Sequence, residues 1–171
     1  MPIITHEGSM LDLPSGIFVH GCNAQGVMGS GIALQIKEKY PEAFKEYLKT
    51  TSHKSYKTNK AQLLGATPWV ELKGGPAIVN AIIQEKYGTD GAKYVDYDAI
   101  YKSFRFVKAL ADARKLPVHF PMIGCGRGGG KWEEIAPIIE KALGPVVGHL
   151  WILPEDSNLE TNPFFKTEVP N

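Results

Sequence analysis

Two glycine-rich stretches hold most of the residues whose chemistry and spacing suggest a site. In the first, the apolar run Ile17-Phe18-Val19 leads through His20 into Gly21-Cys22-Asn23-Ala24-Gln25-Gly26-Val27-Met28-Gly29-Ser30-Gly31. A helix-patterned segment then opens at Ile32. The second, Gly124-Cys125-Gly126-Arg127-Gly128-Gly129-Gly130, also follows an apolar run and precedes a helix pattern. A strand, a glycine-rich turn and a helix start together offer backbone N–H groups that lack intrahelical partners and attract anions. Gly26, Gly29 and Gly31 permit positive φ and let a ligand approach the main chain closely. Two such loops in one chain suggest a phosphate or pyrophosphate ligand gripped from two sides.

Polar side chains inside these stretches each have two readings. His20 closes the apolar run, where an imidazole titrating near neutrality could hold a proton for a leaving group or fix a phosphate. The other reading is a core histidine bonded to backbone. Asn23 either contacts a ligand or bonds its own turn, as asparagine commonly does. Arg127 and Lys131 either pair with a phosphate or face solvent as loop cations. Cys22 and Cys125, the two cysteines of the chain, are too few for a disulfide framework and lack zinc-ligand partners. They read as small, semi-buried thiols rather than thiolate nucleophiles.

The elements that must position these residues follow from periodicity. Residues 2–5 and 16–20 read as strands, the second uninterrupted in hydrophobicity and therefore interior. His6 to Ser9 reads as a turn, and residues 10–15 as a loop or short helical turn. Apolar residues recur at three- and four-residue steps from Ile32 to Leu48, predicting an amphipathic helix with Ser30 as N-cap, broken at Pro41. Residues 50–62 form a polar, basic loop. Strands are expected within 63–72, at 77–83, 117–123 and 146–153, with helices at 96–115 and 131–143. Asp96 or Asp98 near the start of the first of these helices, and Arg114 and Lys115 at its end, suit the helix dipole. Gly144-Pro145 stops the second. The expected architecture is an α/β three-layer sandwich with a mixed central sheet covered by helices on both faces. It is read as one domain over residues 1–171, with a core of about 2–153 and a tail from 154 that Phe164 and Phe165 pin to the body.

Composition narrows the function classes. The chain has 171 residues and a formal net charge of +1, so nothing implies general attraction to nucleic acid or to an anionic membrane. No apolar run approaches the roughly 20 residues of a membrane span. MPIITHEGSM lacks the basic start and apolar core of a signal peptide. A cytoplasmic monomer is expected.

Three segments, VHGCNAQGVMGSGIALQIKEKYPEAFKEY, VNAIIQEKYG and FPMIGCGRGGGKWEEI, resemble in order and spacing the macro domain family of ADP-ribose binders. Within it they are most similar to the branch of the yeast-type ADP-ribose 1″-phosphate phosphatases and the terminal ADP-ribose glycohydrolase. The resemblance covers roughly residues 2–153. It implies that ADP-ribose lies across the carboxyl edge of the sheet, with adenine near Ser9 and Met10. The distal ribose would lie against Gly21, Cys22, Asn23, Ala24 and the turn Gly26-Val27-Met28-Gly29-Ser30-Gly31-Ile32. The pyrophosphate would lie in Gly124-Cys125-Gly126-Arg127-Gly128-Gly129, and Ile32 and Ile123 would wall the cleft. Trp132 is assigned a packing role beneath the second loop.

The resemblance also brings departures. Ser9 stands where many macro domains have an aspartate for the adenine amine. Gln84 stands where the terminal glycohydrolase has its nucleophilic lysine, and Gly128 where it has an aspartate. An amide cannot form the adduct that a lysine forms. The expected activity is hydrolysis of the phosphate of ADP-ribose 1″-phosphate, without a metal or cofactor, with His20 assisting a proton transfer and Asn23 fixing the ribose. A non-catalytic ADP-ribose reader, or a hydrolase that removes ADP-ribose through a bound water, would use the same loops. A dehydrogenase-type dinucleotide site is disfavoured, because Gly26, Gly29 and Gly31 do not give the GxGxxG spacing.

Overall fold

The computed structural model describes residues 3–154. Six strands form one sheet: β1 Ile3–Glu7, β2 Ile17–Asn23, β3 Trp69–Glu71, β4 Ala77–Gln84, β5 Val118–Phe120 and β6 Gly148–Ile152. Their order is β1-β6-β5-β2-β4-β3. Only β3 runs antiparallel to its neighbour, β4, so the sheet is mixed, as expected. Helices α1 Gly31–Lys39, α2 Pro41–Thr51, α3 Tyr97–Arg114 and α4 Trp132–Leu143 cover it.

Alternation along the inner strands sorts side chains between the two faces. Ile17 and Val19 of β2 join Val79, Ala81 and Ile83 of β4 in a cluster with Phe104 and Val107 of α3 and Ile135 and Ile139 of α4. Phe18 and Ile78 point the other way, onto Met10, Ile36 and Ala43. Cys22 and Ile82 continue that second face toward Met28, Tyr47 and Leu63. Covering both faces explains why β2 and β4 are continuous apolar runs. Pro41 divides the first helical region as predicted, with α1 ending at Lys39 and α2 starting at the proline. Asp96 caps α3 by accepting from the Ala99 amide at 2.9 Å, and Gly144 (φ 58°) closes α4.

Several boundaries differ from the sequence reading. β1 continues through His6 and Glu7, which were read as a turn, because they pair with Trp151 and Ile152 of β6. β2 runs on to Asn23, since Gly21 and Cys22 pair with Ala81 and Ile82, and Asn23 with Gln84 after a register shift. The first glycine loop therefore starts at Ala24. β5 stops at Phe120, ahead of Pro121, which has no amide to donate. Within 63–72 only Trp69–Glu71 is a strand, and Lys60–Leu63 is a 3-10 helix. Ser30 precedes α1 but makes no side-chain cap. The assignment of Phe164 and Phe165 falls outside the described residues.

Because β2, β4, β5 and β6 are mutually parallel, their carboxyl ends share one edge, and both glycine loops leave from it. Open α/β sheets place ligand crevices at that edge. Asp96→Ala should cost about 1 kcal/mol. Urea denaturation should show this as a lower midpoint with an unchanged slope.

Candidate functional site

Two adjoining cavities open at the carboxyl edge, each of about 420 Å³. The first is lined by Gly21, Cys22, Asn23, Val27, Gly29, Ser30, Ala33, Gln84, Tyr87, Gly88, Thr89 and Arg127. The second is lined by Gly8, Ser9, Met10, Gly31, Ile32, Gln35, Pro121, Met122, Cys125, Gly126, Trp151, Ile152 and Leu153. The start of α1 and the second glycine loop contribute to both. Among the described residues, Arg127 is the one charged side chain lining either cavity, and it has no ion-pair or hydrogen-bond partner. Neither lining contains a carboxylate.

The first loop is held from below by Tyr47 of α2. Its hydroxyl oxygen accepts from the Gly26 and Val27 amides, both at 3.1 Å. Its proton points at the Asn23 carbonyl, 2.6 Å away, with Asn23 Oδ1 at 2.9 Å. Asn23 completes the knot. Oδ1 accepts from the Gln25 amide at 2.9 Å, and Nδ2 donates to the Val27 carbonyl at 2.9 Å. The turn-bonding reading of Asn23 therefore holds, yet the residue also lines the first cavity, with one Nδ2 hydrogen left over. Ala24 and Met28 do not line a cavity. They are buried with Tyr47, Leu63 and Ile82 and anchor the loop. Gly26 (φ 83°) also faces inward, since a Cβ there would lie 3.2 Å from Thr51 Oγ1.

The second loop is folded onto residues 92–95. Gly128 accepts from the Tyr94 and Val95 amides at 2.8 and 3.1 Å, and Gly130 donates to Gly124 at 2.8 Å. A Cβ on Gly128 would stand 2.7 Å from the Gly124 carbonyl oxygen, and Gly129 (φ 73°) is pressed against the Ala92 carbonyl. Gly124, Gly128 and Gly129 thus shape the loop from behind and do not line the cavities. Ile123 is buried in the core under α3 and α4 and walls nothing. Among the described residues, the amides of Gly31, Ile32, Gly126, Arg127 and Gly128 have no hydrogen-bond partner. Those of Gly31 and Ile32 belong to the uncapped start of α1.

His20 requires correction. It is fully enclosed and lines neither cavity. Its Nε2 lies 2.6 Å from Asn80 Oδ1. Asn80 donates Nδ2 to the carbonyls of Ala43 and Pro68, at 3.1 and 3.0 Å, which fixes Oδ1 toward the imidazole. His20 therefore carries its proton on Nε2 and leaves Nδ1 bare, 3.7 Å from Cys22 Sγ. Burial pushes its pKa down to about 4. A neutral, enclosed imidazole neither fixes a phosphate nor exchanges protons with a ligand, so His20 is a core histidine, bonded to the Asn80 side chain rather than to backbone. The sequence carried the signal: strand alternation puts His20 on the face of Phe18 and Cys22, inside a strand covered on both sides.

The thiols are equally unreactive. Burial raises Cys22 strongly, while burial and the Glu133 charge push Cys125 up to about 12. Ser9 Oγ accepts from the Leu11 amide at 3.2 Å and so caps the 3-10 helix Met10–Asp12. Gln84 lines the first cavity with Nε2 bonded to the Lys86 carbonyl at 2.7 Å, and the Lys86 side chain lines neither cavity. The predicted residues Gly21, Cys22, Asn23, Val27, Gly29, Ser30, Gln84 and Arg127 come together in the first cavity, and Ser9, Met10, Gly31, Ile32, Cys125 and Gly126 in the second. Sequence reasoning missed Tyr87 and Thr89, which follow β4 and line the first cavity. It also missed Trp151, whose alternation in β6 with the buried Leu150 and Ile152 could have marked it. Tyr47 was read only as part of an apolar stripe.

A helix-covered, mostly parallel sheet with paired glycine loops over a two-chambered cleft at its carboxyl edge defines an α/β domain built to take an extended anionic ligand. The family model of the macro domain matches residues 19–139, and the chain belongs to the macro domain family. The DNA ADP-ribosyl glycohydrolase of Mycobacterium tuberculosis is 28% identical over 130 residues, covering 75% of this chain and 35% of that protein. The ADP-ribose 1″-phosphate phosphatase of Aspergillus clavatus is 39% identical over 83 residues, 43% of this chain and 42% of that protein. The chain thus spans less than half the length of these curated relatives. The macrodomain of Mycobacterium tuberculosis DarG superposes with a TM-score of 0.69 at 26% identity, covering 87% of this chain and 96% of that one. No helix among the described residues is long and apolar enough to cross a membrane.

His119 is a second buried imidazole, set among His149, His6 and Trp151. Burial and the neighbouring His149 and His6 push it down to about 4, and it accepts from Trp151 Nε1 at 2.9 Å. An unfolded chain protonates histidine near pH 6.5, whereas His20 and His119 in the fold do so near 4. Between those values the unfolded state binds more protons. Stability should therefore be full above about pH 6.5 and fall as pH drops toward 4. Thermal melts between pH 7.5 and 5 should show a declining Tm, and a flat profile would contradict the burial of both imidazoles.

Proposed function

We propose that this domain binds ADP-ribose across both cavities and hydrolyses the phosphate of ADP-ribose 1″-phosphate. The observation that carries the reading is a pair of adjoining chambers, one lined by Arg127 and the other walled by Met10, Ile32, Met122 and Trp151, joined by unpartnered amides. Adenine suits the chamber walled by Met10, Ile32, Met122 and Trp151. With the Ser9 hydroxyl committed to its cap, the adenine edge is left to main-chain groups. The pyrophosphate suits the amides of Gly31, Ile32 and Gly126 to Gly128. The distal ribose suits the chamber of Asn23, Gln84 and Tyr87, where Arg127 supplies a positive charge for a terminal phosphate.

With His20 out of reach, no side chain in the distal chamber is a general base. Phosphoryl transfer tolerates this, because its loose transition state leaves the protein mainly positioning and charge stabilisation to supply. Arg127 and the oriented amides would stabilise charge on the transferring phosphoryl group. Water would attack phosphorus as the bond to the anomeric oxygen breaks, and a proton of that water would pass by way of the phosphoryl oxygens or solvent to the leaving anomeric oxygen. Slow turnover follows from the missing base. That same gap favours a second reading, a non-catalytic ADP-ribose reader. Removal of ADP-ribose by a lysine nucleophile has no support, since Gln84 occupies the position and Lys86 lies outside the chamber.

Purified protein with EDTA should release inorganic phosphate from ADP-ribose 1″-phosphate, and calorimetry should show binding of ADP-ribose. Arg127→Ala should weaken the phosphorylated ligand about tenfold more than ADP-ribose itself, and should lower phosphate release with it. Binding without phosphate release would leave the reader. Failure to bind ADP-ribose would exclude both.

A further inference from the structure

We infer that Tyr47 is a positioning residue for the distal chamber, a role that rests on the binding reading above. Tyr47 lies in the middle of α2 and has no exposed surface. Its ring sits among Ala24, Met28, Leu63 and Ile82, so burial alone would account for an aromatic side chain here. The hydroxyl is not needed for that packing, and phenylalanine would fill the same space. What the hydroxyl does is hold residues 23–27 in one conformation.

One phenol oxygen has a proton and two lone pairs, and all three are used on a single loop. The Gly26 and Val27 amides take the lone pairs, and the proton goes to Asn23. Burial pushes the Tyr47 phenol strongly upward, so it stays protonated. Two consequences follow for the chamber. The Gly26 and Val27 amides are turned inward, toward α2, and so cannot serve a ligand. The amides that remain are those from Gly29 onward, at the start of α1. Asn23 Oδ1, pinned between Tyr47 and Gln25, leaves only its amide nitrogen edge available. Val27, held by its amide to Tyr47 and by its carbonyl to Asn23, sits on the chamber rim 38% exposed. Tyr47 thus selects which loop amides face the ligand without touching the ligand itself.

Tyr47→Phe separates this role from packing. The variant should bind ADP-ribose about tenfold or more weakly while binding ADP, which lacks the distal ribose, within about twofold of the parent. A merely structural role would weaken both ligands equally or neither, and either result would overturn the inference. Amide hydrogen exchange gives a readout that needs neither ligand nor variant. In the parent, the Gly26 and Val27 amides should exchange at least about tenfold more slowly than those of Gly29 and Ser30. Equal rates at the four positions would also overturn it. If the parent fails to bind ADP-ribose, the proposed function falls, while the exchange rates still decide whether Tyr47 holds the loop.

Discussion

Ile17, Phe18, Val19 and His20 are wholly enclosed between two layers of helix, and the chain must pass from that dry interior into the seven-residue loop between Asn23 and Gly31. Every main-chain group at this passage needs a partner, because an unpaired amide or carbonyl removed from water is costly. β4 supplies partners as far as Asn23. Beyond that point Glu85 takes the Ala24 amide, Asn23 Oδ1 takes that of Gln25, and Tyr47 takes those of Gly26 and Val27. The rest of the site follows from that handover: which amides are tied down, where the first cavity begins, and how α1 can start without a cap.

The second loop solves the same problem by another route. Its own carbonyls take the Gly129 and Gly130 amides, and its Gly128 carbonyl accepts from the amides of Tyr94 and Val95. The packing is so close that side chains are excluded at Gly128 and Gly129. The two loops therefore face each other across the cleft with different mechanical origins, one pinned by a side chain and the other by backbone contact. Both leave free amides on the cleft side. The apolar chamber beside them owes its floor to Trp151, which stacks on His6 with ring centroids 4.5 Å apart and donates to His119.

Much of this was legible in the sequence, for physical reasons that can be named. The apolar run 17–19 and the stretch 77–83, broken only by Asn80, announce strands covered on both faces, and a mixed sheet with helices on each side is the outcome. Pro41, Asp96 and Gly144 act locally and mark helix ends reliably. Glycine spacing located both loops. What failed was anything decided by pairing across the sheet. The length of β2 depends on β4, and the strand character of His6 and Glu7 depends on β6. His20 was misjudged because proximity in sequence to a glycine loop was weighed above the parity of a strand. Tyr47 was invisible as more than an apolar position, since a hydroxyl at the bottom of a loop has no signature at a distance of more than twenty residues.

The close contact at Gly128 also bears on how this domain can change over evolutionary time. Here any side chain at 128 would run into the Gly124 carbonyl at 2.7 Å. Acquiring a side chain there would first require the backbone around Gly124 to shift, and that carbonyl is the acceptor for Gly130. Change at position 128 is therefore tied to change at Gly124 and Gly130, and the three positions form one unit of main-chain geometry.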